Sequence, residues 1–227
     1  MKIDIITLFP GMFSGPFDES IIKRAKQKGL VDVCIHDLRK WTDDLHRTVD
    51  DKPYGGGPGM VMKVEPVDRA LSEIRPGPGS YTEVILITPQ GNRFDQSTAR
   101  DLSGKDRLIF ICGHYEGFDE RIRSLVDSEI SIGDFVLTCG ELPAMVICDS
   151  VIRLLPGVLG DEACLEHESF EHGLLEYPQY TRPADYKGMK VPGVLLCGDP
   201  KKISAWQEQM SLERTKERRP DLLKHRK

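Results

Sequence analysis

Disulfide spacing is missing from this sequence. Six cysteines, Cys34, Cys112, Cys139, Cys148, Cys164 and Cys197, are scattered through 227 residues, and no two form a C-x-x-C pair. That argues against a disulfide scaffold. All but Cys164 stand among apolar or small neighbours and read as reduced, mostly packed thiols. Long apolar runs are missing too. No stretch approaches the roughly 18 residues that a membrane helix needs. The opening "MKIDIITLFPGMF" alternates like a strand and is too short an apolar run for secretion. The expected location is the cytoplasm. Nor is there a surplus of positive charge, the net charge being -5. This excludes a wholly basic protein that coats nucleic acid, and leaves room for a local basic patch. With 39% hydrophobic and 30% charged residues, the composition suits a solvated surface around a real core, in one or two domains.

What is present alternates between strand-like and helix-like segments. "KIDIITL", "LVDVCIHDL", "EVILIT" and "RLIFIC" are apolar, β-rich runs of strand length. Helical spacing appears in "DESIIKRAKQKG", from Pro66 to Ile74, and in "DQSTARDLS". This βα rhythm predicts an α/β fold with a mostly parallel sheet covered by helices. "ELPAMVICDSVIRLLPGV" reads as a long helix stopping at Pro156, apolar nearly all round and suited to burial, including against a second subunit. Residues 157 to 176 are polar, acidic and glycine-punctuated, and read as a linker. The chain ends in a helical, basic stretch. From Lys201 to Lys227 nine Lys or Arg face four Asp or Glu, a local surplus of +5. That asymmetry points to a nucleic-acid partner, and a solvated helix face accounts for it about equally well.

The stretch "DDKPYGGGPGMVM", Asp50 to Met62, is the densest in glycine. It is no phosphate cradle: the position that a P-loop gives to glycine is Met62. It is no dinucleotide fingerprint either, because Met60 replaces the third glycine. Tyr54, between Pro53 and the glycines, suits stacking on a base or a cofactor ring. His167 and His172 are five apart, not the four of the helical zinc motif, so zinc is discounted. Glu116, Asp119 and Glu120 follow a buried strand, at the sheet edge where α/β proteins bind ligands. Asp119 and Glu120 suit capping of a helix near Phe118. Glu116 stays open, with magnesium as one option.

Taken together, "HRTVDDKPYGGGPGMVM", "ITPQG", "ICGHYEGFDER", "EISIGDFVLTCGELPAM", "IRLLPGVLG" and "LEYPQYTRP" resemble one family. It is the bacterial tRNA (guanine-N1)-methyltransferases of the SPOUT superfamily. The resemblance runs through nearly the whole chain, in order and at natural spacing. It implies a sheet tied into a deep trefoil knot, an exception to the usual topology rules, and a small helical C-terminal domain. The implied boundaries are 1–157 for the knotted, donor-binding domain, 158–176 for a linker carrying the catalytic acid, and 177–227 for a helical tRNA-binding domain. S-adenosylmethionine would lie in the knot. Carried over, its contacts fall at Leu86, Thr88, Pro89, Gly91, Gly113, Tyr115, Glu116, Ile132, Gly133, Phe135, Leu137, Gly140 and Pro143. Substrate contacts fall at Asp50, Tyr54, Gly59, Cys164 and Arg182. The family is an obligate homodimer with its active site at the subunit interface, and its target is the guanosine 3′ of the anticodon, guanosine-37. Magnesium stays open as a further cofactor.

The chemistry constrains the site. Neutral guanine carries a proton on N1, and methyl transfer to N1 needs it removed while charge grows on O6. A carboxylate base and a cationic donor are required. The family's aspartate base aligns with Glu168, and its arginine with Arg153. The sequence departs from the family at His114 (usually arginine), Cys139 (usually glycine), Phe135 (usually tyrosine), Cys164 (commonly serine) and Glu168. A cysteine at 139 is strained if that position needs a left-handed backbone. Three rivals stand beside this reading: a SPOUT enzyme for another RNA position, a magnesium phosphohydrolase using Asp50, Asp51 and Glu116, and a non-catalytic RNA-binding protein.

Overall fold

The computed structural model describes residues 1–77, 80–160, 165 and 168–225. They divide into two compact units, Met1–Gly160 and Asp161–Lys227. The first unit is built on a five-stranded, all-parallel sheet. Its strands are β1 (Lys2–Thr7), β2 (Asp32–Asp37), β5 (Thr82–Arg93), β6 (Arg107–Cys112) and β7 (Ser128–Ser131), in the order β2-β1-β6-β5-β7. A two-stranded antiparallel pair, β3 (Asp50–Asp51) and β4 (Val61–Met62), closes the glycine-rich loop.

Alternating side chains send the sheet's two faces into two cores. Ile3, Ile5, Ile85 and Phe110 lie under helices α1 (Ser20–Gln27), α3 (Gln96–Ser103) and α4 (Glu141–Ile152). Ile6, Val84, Leu86, Ile109 and Ile111 lie under α2 (Val64–Ile74). Both faces are covered, so the central strands read as unbroken apolar runs.

The helix limits follow local chemistry. Asp95 caps α3 by accepting from the Thr98 amide at 2.9 Å. Helix α2 begins at Val64, two residues before the expected Pro66, because a proline fits the first turn, where amides lack partners anyway. Helix α4 ends at Ile152 rather than running to Pro156. Its last turn tightens, with Leu154 donating to Val151 and Leu155 to Ile152 at 3.0 and 3.1 Å. The residue before a proline disfavours the α conformation. Two of the expected packed thiols, Cys112 and Cys148, are buried, whereas Cys197 is exposed.

The second unit contains a hairpin, β8 (Asp185–Tyr186) with β9 (Met189–Lys190), and the long helix α5 (Pro200–Arg218). Asp199 caps α5 through the Lys201 and Lys202 amides. Thr215, buried in α5, accepts from the Leu175 amide at 2.8 Å, and Arg214 donates to the Glu176 carbonyl at 3.1 Å.

A polar cluster is set into the sheet of the first unit. The Asp4 side chain is 1% exposed and receives His36 Nε2 and Arg107 Nε, each at 2.7 Å. Burial alone would push the Asp4 carboxyl up, and His36 and Arg107 outweigh it, leaving it below its ordinary value. A depressed folded value gives stability that is complete above about pH 4 and lost as pH falls through the lowered value. Asp4→Asn leaves Arg107 facing no charge and is expected to cost about 3–5 kcal/mol at pH 7. In denaturant titrations the gap between wild type and variant should close as the pH is lowered through that range. A gap independent of pH would show that the carboxylate charge contributes nothing.

Candidate functional site

A cavity of about 270 Å³ opens at the carboxyl edge of β5, β6 and β7. That edge is where open parallel sheets place ligands. Three segments wall it: Thr88–Gln90 within β5, the loop Gly113–Phe118 after β6, and the loop Ser131–Gly140 between β7 and α4.

The post-β6 loop is sewn to the glycine-rich segment by main-chain bonds. Glu116 donates to Met60 at 3.0 Å, Met62 to Gly117 at 2.9 Å and Asp119 to Met62 at 2.9 Å. Gly59 closes this seam with φ +81°, and a side-chain carbon there would lie 2.3 Å from the Glu116 Cγ. What the glycine loop lets approach is therefore Glu116. Tyr115 sits on the same loop with φ 62°, a strained conformation for an aromatic residue. Burial and then the facing Asp50 carboxylate push its phenol up, so it stays protonated as a donor. Asp119 caps the short helix Glu120–Leu125 through the Arg121 amide, as its position in the sequence suggests.

The Ser131–Gly140 loop is fixed at both ends. Ser131 Oγ donates to the Gly133 carbonyl and accepts from the Gly133 amide. At the far end Gly140 donates to the Gly113 carbonyl at 2.8 Å. A carbon on Gly140 would meet Gly113 N at 2.7 Å and the Cys112 Cα at 3.0 Å, both of them backbone. Cys139 is not among the residues with a left-handed backbone, so the strain considered for it does not arise. Of Cys139 and Gly140, the position that must be glycine is Gly140.

Of the residues expected to hold a donor, Thr88, Pro89, Gly113, Tyr115, Glu116, Ile132, Gly133, Phe135, Leu137, Gly140 and Pro143 line the cavity. Leu86 does not; it is fully buried in the core under α2. Gly91 does not either. It lies against the Glu129–Ile130 backbone, beside a separate polar groove. Among the expected substrate residues, Asp50 lies on β3, Tyr54 is fully exposed, Gly59 adjoins Glu116, and Arg182 is exposed in the second unit. Cys164 lies outside the described residues. Arg153 forms the C-cap of α4 in the first unit, and Glu168 stands in a turn of the second, its carbonyl accepting from the Glu171 amide.

Sequence reasoning missed several lining residues, among them Gln90, Phe118 and Arg123. Arg123 binds Glu120, Glu129 and Gln90, joining the post-β6 helix to β7 and β5. No local motif signals it, because its partners come from three separate segments. His114 also lines the cavity, edge-on between Phe9 and Tyr115, with its Nδ1 buried and without a hydrogen-bond partner among the described residues. Among the described residues no three His, Cys, Asp or Glu side chains gather to hold a metal ion. The converging carboxylates that a phosphohydrolase would need are not among them.

Two substitutions separate close approach from strain. Gly140→Ala is expected to lower stability by roughly 1–3 kcal/mol, because backbone must move to admit the methyl group. Cys139→Gly is expected to stabilise nothing and to cost up to about 1 kcal/mol in chain entropy. Urea denaturation of both measures this, and a stabilised Cys139→Gly would reveal strain at that position.

Comparison with known proteins agrees with this architecture. The family profile described as tRNA (Guanine-1)-methyltransferase TrmD matches residues 1–225. A tRNA (guanine-N(1)-)-methyltransferase of Geobacillus kaustophilus is 58% identical over 225 residues, covering 98% of this chain and 91% of the relative. The enzyme of the same name from Bacillus subtilis is 56% identical over 225 residues, covering 99% and 93%. That from Dictyoglomus turgidum is 56% identical over 223 residues, covering 98% and 90%. A match along nearly the whole chain, on a parallel sheet with its cavity at the carboxyl edge, means that this chain belongs to the tRNA (guanine-N1)-methyltransferase family.

Proposed function

We propose that the protein transfers the methyl group of S-adenosylmethionine to N1 of guanosine-37 in tRNA. The observation that carries this reading is the cavity, where eleven residues expected to hold the donor meet, ten from three separate segments and Pro143 from the first turn of α4. The lining fits such a ligand: Ile132, Leu137 and Pro143 offer apolar contact for a purine, and segment 132–140 forms neither helix nor strand, leaving main chain for polar contacts. When bound, the donor supplies an electrophilic methyl group on a sulfonium.

The chain's own residues then divide the remaining work. The Glu168 carboxylate takes the N1 proton, and the Arg153 guanidinium donates to O6 as charge develops there. Asp50, Tyr54, Gly59, Cys164 and Arg182 are assigned to the RNA. A homodimer with its site at the subunit interface is supported by exposed apolar side chains on and before α4: Phe135, Val136, Leu142 and Val146. A knotted path is supported by the double pairing of β5 with β7, Ile85–Ile87 on Ser128–Ile130 and then Asn92–Arg93 on Ile130–Ser131. We read 1–157 as the donor domain, 158–176 as the linker and 177–227 as the tRNA-binding domain. No residue is assigned to magnesium. No described helix is long and apolar enough to cross a membrane. A tRNA substrate supports reading the enzyme as cytoplasmic.

The test uses tritiated S-adenosylmethionine and two unmodified leucine tRNA transcripts, one with guanosine and one with adenosine 3′ of the anticodon. Label is expected in the first alone. Glu168→Gln should slow transfer by about 10²–10⁴-fold, and Arg153→Lys by about 10²-fold or more. Label in the adenosine transcript would overturn the target. An undiminished rate in Glu168→Gln would move the base elsewhere.

A further inference from the structure

Glu141 opens helix α4 immediately behind the cavity wall and is completely buried. Cys139 and Gly140 before it, and Pro143 after it, line the cavity. Its Oε1 accepts from the Thr7 hydroxyl at 2.5 Å, across 134 positions of sequence. Its Oε2 is buried and has no hydrogen-bond partner among the described residues. Thr7 Oγ1 is itself engaged by the Phe9 amide at 2.9 Å. Among the described residues, the Thr7 hydroxyl, the Cys139 thiol and the positive end of α4 face this carboxylate.

The field of Glu141 reaches its neighbours. Burial and then the Glu141 charge push the Cys112 thiol well up, and burial followed by a hydrogen bond to the Glu141 side chain pushes the Cys139 thiol up. The acidic groups that line the cavity, Glu116 and Glu120, are exposed, so water and salt screen them. Glu141 does not line the cavity; it lies between lining residues in sequence and, fully buried, is held away from that screening.

We propose that Glu141 is a specificity-determining residue: its buried charge makes the cavity prefer a ligand with a cation at the sulfur position over the neutral thioether. This rests on reading the cavity as the S-adenosylmethionine site. Donor and spent product differ by the methyl group and the positive charge it brings. A fixed negative charge directly behind the wall therefore favours loading with donor and release of product. An exposed carboxylate could not do this as well, because solvent would halve or erase the difference.

The test is calorimetry on the full-length protein without RNA, using S-adenosylmethionine, S-adenosylhomocysteine and sinefungin, which carries an ammonium in place of the sulfonium. Wild type should bind both cationic ligands at least about tenfold more tightly than the thioether. Glu141→Gln keeps the shape and an acceptor for Thr7. It should shrink that preference to within about twofold, leave thioether affinity unchanged and not lower the thermal midpoint. Glu141→Asp, which retains the charge, should keep most of the preference. A wild type with no preference would overturn the proposal whether or not the variants fold. So would equal weakening of all three ligands in Glu141→Gln, the mark of a structural strut. Binding of none of the three by wild type would instead overturn the donor reading itself.

Discussion

Gly140 and Gly113 meet backbone to backbone, and there is no space between them for a side chain. This contact ties the end of the Ser131–Gly140 loop to the end of β6. Helix α4 starts at the next residue, so its position follows from the same contact. Its inner face, with Ala144, Ile147, Cys148 and Val151, then joins the core beneath the sheet. The cavity is the space left between two loops that the contact holds together. Core packing on one side and ligand geometry on the other thus depend on one close approach, in an interior that does not deform continuously.

A cavity walled so largely by loops accommodates unusual side chains. Phe135 is more than half exposed, so losing a tyrosine hydroxyl there disturbs no packed core. Cys139 follows an ordinary backbone and turns toward Glu141. His114 is the departure with a structural cost, since its buried Nδ1 has no partner among the described residues. In each case the backbone carries the shape, and the side chain tunes polarity or charge. Glu141 extends that logic from the lining to the layer behind it.

Much of the fold could be read from pattern, because its central strands are buried on both faces. "KIDIIT" and "RLIFIC" announce themselves by apolar runs, and α3 by its Asp95 cap. Strand β7, "SEIS", is four residues long with polar positions at its start, too short and mixed for periodicity to register. The extension of β5 through Pro89 and Gly91 was hidden because those residues signal a turn. The glycine loop failed two phosphate motifs, and its role emerged only with the seam to Glu116. Glu141 sits in an apolar helix pattern, where its burial is invisible until the tertiary contact with Thr7 is known. Donor-site residues came from resemblance, since nothing in their spacing brings three distant segments together.

The central claim is that these loops close around the methyl donor. Hydrogen–deuterium exchange on the full-length protein, with and without S-adenosylmethionine, tests it most directly. The account predicts slowed amide exchange in segments 113–117 and 131–140, with little change in α5. Protection confined to the second unit, or none in those two loops at saturating donor, would contradict it.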